Sequence, residues 1–132
     1  MVVFIDTSAF LAILNGDDKN HSAARNVWNK LLDSENVLIS NNYVLVESFA
    51  LIQRRLGMIA VRVFHEDILP LINIEWIDSA IHKSGISALF AASKRKLSLV
   101  DCVSFEIMRT LGIKNVFAFD PHFTEMGFKS IP

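Results

Sequence analysis

Four carboxylates stand where chemistry could use them: Asp6, Glu47, Asp101 and Asp120. Asp6 ends the apolar run "VVFI" and precedes two hydroxyls, Thr7 and Ser8. Asp120 ends "FAF" and precedes a proline. Glu47 interrupts "YVLVESFALI", which is apolar nearly all round, so an acid there faces a burial cost unless it has a partner. Asp101 lies three residues after Ser98. Carboxylates of this kind hold hard divalent cations, magnesium or manganese, rather than zinc. Such ions drive water onto a phosphodiester without a protein nucleophile. Two carboxylates ~4 Å apart repel by about 4 kcal/mol at an effective dielectric near 20. That is a large part of a domain's ~5–15 kcal/mol stability, so acids that meet require protonation or a cation.

The three aspartates also have plainer readings, and Glu47 is the hardest to dismiss. Asp101 suits a capping box with Ser98, Asp120 suits a turn before Pro121, and Asp6 suits the cap of the helix that follows. Asp78, at the end of another strand, reads as a cap alone. The four histidines form no visible acid–base pair, and no Cys/His set has zinc spacing. His122 is the one to test, being near Asp120; otherwise it reads as a surface residue. Cys102 reads as packing.

The acids act together only if the chain brings them together, and the pattern of elements predicts that it does. Strands are expected at 2–5, 36–40, 72–76 and 115–119, with a short fifth in "GFKSI". Helices are expected over "SAFLAIL" with Ser8 as N-cap, over 20–34, 42–55 and 58–71, from Asp78 to about Lys94, and from Ser98 to Gly112. Strands alternating with helices argue for a three-layer α/β/α architecture on a mostly parallel sheet. The strands are apolar on both faces, as a doubly covered sheet requires. Ligands of such sheets bind beyond the carboxyl ends of the strands. Asp6 and Asp120 follow two strands at that edge. Asp101 opens the helix leading into the fourth strand and returns to the same edge. Glu47 lies about a turn and a half into its helix, roughly 8 Å at 1.5 Å per residue, and its long side chain leans back toward the edge.

The bulk composition sets the frame. The chain has 132 residues, 52% of them apolar and 20% charged, which suits one folded domain over 1–132 rather than disorder. A lone cysteine and no signal peptide point to a reducing, cytoplasmic setting. No uncharged apolar run approaches the ~18 residues of a membrane span. The net charge of −1 neither announces nor excludes nucleic acid. Local clusters, "QRRLG" (Arg54, Arg55) and "KRK" (Lys94, Arg95, Lys96), would have to serve an RNA, or else are solvated helix ends. From Tyr43 to Ile72 the chain holds more apolar residues than one small core hides, which suggests a covering partner.

The residues resemble the PIN-domain family, specifically the VapC-like ribonuclease toxins of prokaryotic toxin–antitoxin pairs. "VFIDTSAFLAIL", "HSAARNVWNKLL", "LISNNYVLVESFALIQRRLG" and "LSLVDCVSFEIMRTLGIKNVFAFDPHFTEMGF" carry the likeness, in order and across nearly the whole chain. The resemblance implies strand order 3-2-1-4-5, which sets Asp6 beside Asp120. It implies a metal-dependent endoribonuclease acting on structured or translating RNA and leaving 5′-phosphate and 3′-hydroxyl ends. It also implies a cognate antitoxin over residues 42–71 and a homodimer. On this reading Asp6 and Asp101 bind Mg2+ or Mn2+, and Asp120 holds the metal or its waters. Glu47 orients the attacking water or holds a second ion. Thr7, Ser8 and Ser104 are supporting hydroxyls.

Three alternatives are set beside this. A phosphoryl-transfer site on Asp6 lacks the partner acids and lysine it needs. A non-catalytic RNA- or protein-binding module would not need all four acids. A PIN nuclease of RNA processing or decay keeps the chemistry and drops the toxicity.

Overall fold

The computed structural model describes residues 1–94 and 96–132; Arg95, in the expected basic cluster, lies outside them. Five parallel strands form one sheet in the order β3-β2-β1-β4-β5: β1 (Val2–Ile5), β2 (Val37–Asn41), β3 (Asn73–Glu75), β4 (Asn115–Phe117) and β5 (Lys129–Ile131). β1 is central. Val3, Phe4 and Ile5 are buried completely, because helices cover both faces of a sheet that leaves no side wet.

The helices are α1 (Thr7–Leu14), α2 (His21–Asp33), α3 (Asn42–Leu56), α4 (Met58–Val63), α5 (Ser79–Ala92), α6 (Leu99–Leu111) and α7 (His122–Glu125). α1 packs on α2 and α3, and α5 packs on α6. Right-handed crossovers send the chain leftward from β1 to β3 and then back across to β4, so these two groups take opposite faces. The reversal falls between β1 and β4. The α5–α6 contact is close enough that a Cβ on Gly85 would meet Val103 Cγ2 at 2.5 Å.

The structure departs from the expected boundaries at several points. Asp6, not Ser8, caps α1, because its carboxylate accepts from Ser8 N. The helix expected over 58–71 stops at Val63 and continues as a π turn (Phe64–Ile68) and a 3₁₀ turn (Leu69–Leu71). Pro70 lacks the N–H that a regular helix would need there. Gly57 separates α3 from α4 with φ +88°, a conformation that side chains disfavour. β4 ends two residues early: Phe119 N donates to Ser8 Oγ (3.0 Å) instead of continuing the ladder. α7, unmarked in the sequence reading, fills the crossover to β5.

α4 has no buried residue. Val46 on α3 and Met58 and Ile59 on α4 are exposed, Ile59 to 83%. Among the described residues no helix is long and apolar enough to cross a membrane.

Candidate active site

The carboxyl edge of the sheet opens into a cleft of about 270 Å³ lined by Asp6, Thr7, Ser8, Leu11, Glu47, Leu51, Arg55, Lys96, Ser98, Asp101 and Asp120. All four expected acids line it. Register does most of the work. Ile5 pairs with Phe117, and Asp6 N donates to Phe117 O at 3.1 Å. The chain beyond β1 and the chain beyond β4 therefore leave the sheet side by side.

Asp6 is only 4% exposed. Ser8 Oγ donates to its Oδ2 at 2.7 Å and Ser8 N at 3.2 Å. The Ser8 hydroxyl in turn accepts from Phe119 N, so one serine ties Asp6 to the β4 side. Burial pushes the Asp6 carboxyl from the usual 3.8 up to about 7, against the Ser8 bonds and with a smaller push from Asp101 and Asp120. Burial likewise raises Asp101; Asp120 adds to the rise, while the Ser98 bonds and His122 oppose it. Glu47 is raised by burial too, with Thr7's hydrogen bond opposing and Asp101 and Asp120 adding.

Asp101 is both cap and cleft residue. Ser98 N donates to Asp101 Oδ2 and Asp101 N donates to Ser98 Oγ, each at 3.1 Å, which completes the capping box. The box uses Oδ2, and the same residue lines the cleft. Asp120 is held as a turn residue: its Oδ1 accepts from His122 N at 2.9 Å. Here too the local and the functional readings coexist in one side chain.

His122 is the residue the sequence undervalued. Its Nδ1 lies 3.0 Å from Asp120 Oδ1 and 3.7 Å from Asp101 Oδ2. The nitrogen is buried and makes no aligned hydrogen bond with either. Asp101, Asp120 and His122 each offer a ligand atom within 4.8 Å of the others. Asp6 and Glu47 line the cleft outside that tight group. The signal in the sequence was only the proximity of His122 to Asp120; the turn of α7 swings it toward Asp101 as well. Crowded acids beside an orphaned buried nitrogen fit a hard divalent cation.

The hydroxyls divide. Ser8 holds Asp6. Thr7 lines the cleft beside Glu47 and accepts from Ser48 Oγ at 3.1 Å. Ser104 does not reach the cleft. It is buried and accepts from Asn41 Nδ2 at 3.2 Å, while Asn41 Oδ1 caps α3 through Val44 N at 2.9 Å. Its role is to lock α6 against the start of α3. Of the basic clusters, Arg55 and Lys96 reach the cleft wall.

The family profile described as PIN domain matches residues 3–129. The chain belongs to the PIN-domain family. It is 30% identical over 131 residues, 98% of each chain, to the 23S rRNA-specific endonuclease VapC20 of Mycobacterium tuberculosis. The crystal structure of that VapC20, a sarcin–ricin loop cleaving toxin, aligns with a TM-score of 0.85 over 97% of this chain and 96% of its own. Two more distant structures share the PIN fold. FitAcB from Neisseria gonorrhoeae is 15% identical with a TM-score of 0.70, covering 100% of this chain and 97% of its own. VapBC2 from Rickettsia felis, bound to a promoter DNA fragment, is 10% identical with a TM-score of 0.72, covering 98% and 97%.

Proposed function

We propose that this PIN protein is a divalent-metal-dependent endoribonuclease that hydrolyses structured ribosomal RNA, and that it is the toxin of a toxin–antitoxin pair. The observation that carries the reading is the meeting of Asp6, Glu47, Asp101 and Asp120 in one cleft at the sheet's switch point. The likeness to a 23S rRNA endonuclease over nearly the whole chain supports it.

Magnesium or manganese, when bound, would neutralise the scissile phosphate and make water a better nucleophile. The chain supplies the rest. Asp101, Asp120 and His122 would hold the ion, with Asp6, fixed by Ser8, in the same cleft. Glu47, its proton affinity raised by burial, takes a proton from the attacking water. Arg55 and Lys96 on the cleft wall pair with phosphates flanking the cut and offset the local negative charge. The exposed apolar face of α3 and α4 is read as the seat of the antitoxin, or of a second copy of this chain.

The test is cleavage of a 23S rRNA hairpin by the purified protein. Cutting with magnesium or manganese and none in chelator is expected; undiminished cutting in chelator would remove the metal. Expression of the protein alone should arrest growth, and normal growth would favour an RNA-processing role.

A further inference from the structure

The catalytic cleft has an apolar annex that the chemistry above leaves unused. Asn42, Tyr43, Val46, Glu47 and Val100 line a pocket of about 350 Å³. Glu47 lines both spaces. Tyr43, Val46 and Glu47 stand at i, i+3 and i+4 on α3 and share one face. Val100 immediately precedes Asp101 on α6. The annex therefore lies between the two helices that deliver Glu47 and Asp101.

Tyr43 is held in place. Its hydroxyl bonds His82 Nδ1 on α5, and the two rings meet edge-on with centroids 5.8 Å apart. Asn42 Oδ1 accepts from Ile77 N at 2.7 Å. That bond fixes the amide and ties the segment after β3 to the start of α3. Trp76, the residue before Ile77, is 73% exposed.

We propose that this pocket is a subsite for one unstacked base of the RNA strand being cut. The proposal rests on the endoribonuclease reading above. Continuity with the cleft names the occupant. A strand whose phosphate lies at Glu47 has an adjoining base within one nucleotide of a pocket that shares Glu47. An immobilised aromatic ring among apolar walls suits stacking, which any base can supply. The Asn42 amide, oriented by Ile77 N, offers the pocket's polar contact for a base edge. A base enters only if it is unpaired, so the cut falls in a loop or bulge rather than in a stem.

The experiment uses the wild-type protein and a 23S rRNA sarcin–ricin hairpin, with each nucleotide around the cut replaced in turn by an abasic one. One replacement next to the cut should raise KM roughly five- to a hundredfold, the usual worth of one stacked base, with kcat moved much less. Tyr43→Ala should raise KM for intact RNA by a similar factor and lose its sensitivity to that replacement. Tyr43→Phe keeps the ring and should keep the sensitivity. If intact RNA is cut but no abasic position matters, or if Tyr43→Ala stays as sensitive as wild type, the subsite is overturned and the pocket belongs to a protein partner's side chain. If intact RNA is not cut at all, the nuclease reading falls, and the subsite falls with it.

Discussion

Asp6 and Asp78 are locally twins. Each follows a strand, and each caps the helix that comes next: Asp6 accepts from Ser8 N and Asp78 from Ile81 N at 2.9 Å. Yet Asp6 is buried in a cleft with three other acids, while Asp78 is exposed and lines no part of it. The difference is the strand each one ends. β1 is the centre of the sheet, beside the reversal to β4; β3 is an edge. A capping aspartate becomes a site residue when topology gives it acidic neighbours and takes away its water. Asp101 completes the lesson, because its capping box and its place in the cleft coexist.

Exchanging amides for the twin acids should separate them most. Asp6→Asn should lower the rate of RNA cleavage by about a hundredfold or more, the scale seen when a group that stabilises the transition state is removed. Asp78→Asn should leave cleavage near wild type. Equal losses from both would show that the two positions do not differ as the topology says.

The pH dependence of stability is the next separation. A folded-state pKa near 7 for Asp6, against 3.8 in the unfolded chain, means that the folded protein holds the proton longer. Stability without metal is therefore greatest at acid pH and falls as pH rises from about 4 to about 7. The loss is up to about 4 kcal/mol from this group. Burial of Asp101 and Glu47 pushes in the same direction. Melting curves in chelator should show the fall, Asp6→Asn should flatten it, and manganese should reverse it. A flat profile for wild type would mean that Asp6 stays hydrated.

Gly85 sharpens the comparison from the other side, since α5 begins at the exposed Asp78 but docks on α6, which carries Asp101. Gly85→Ala drives a Cβ into Val103 and should cost about 1–3 kcal/mol as an overpacked contact. Denaturant titration would read it, and no loss would show that the two helices slide freely. The smallest effect belongs to the cap without chemistry: Asp78→Ala should cost about 1 kcal/mol of stability, with cleavage unchanged.

The capping box at Ser98 and the stop at Gly112 rest on contacts within a few residues, and the structure has both. The end of β4 shifted because a distant group intervened. Phe119 left the ladder because Ser8, far away in sequence, took its N–H. Ser104 was expected as a supporting hydroxyl at the cleft. Asn41, brought over by β2, claims it instead. His122 was marked only for its nearness to Asp120, because its closeness to Asp101 requires α7 to turn at the end of β4.

By itself, then, the sequence determined the element types, most of the caps and the four acids, because periodicity, capping and the cost of burying a charge all act over short stretches of chain. Tertiary structure decided which aspartate is a cap alone and which is also in the cleft, which hydroxyl serves it, and that Tyr43, Val46 and Val100 form a pocket beside Glu47. Those outcomes depend on strand order and on how closely α3 approaches α6, and distances between remote segments have no local signature.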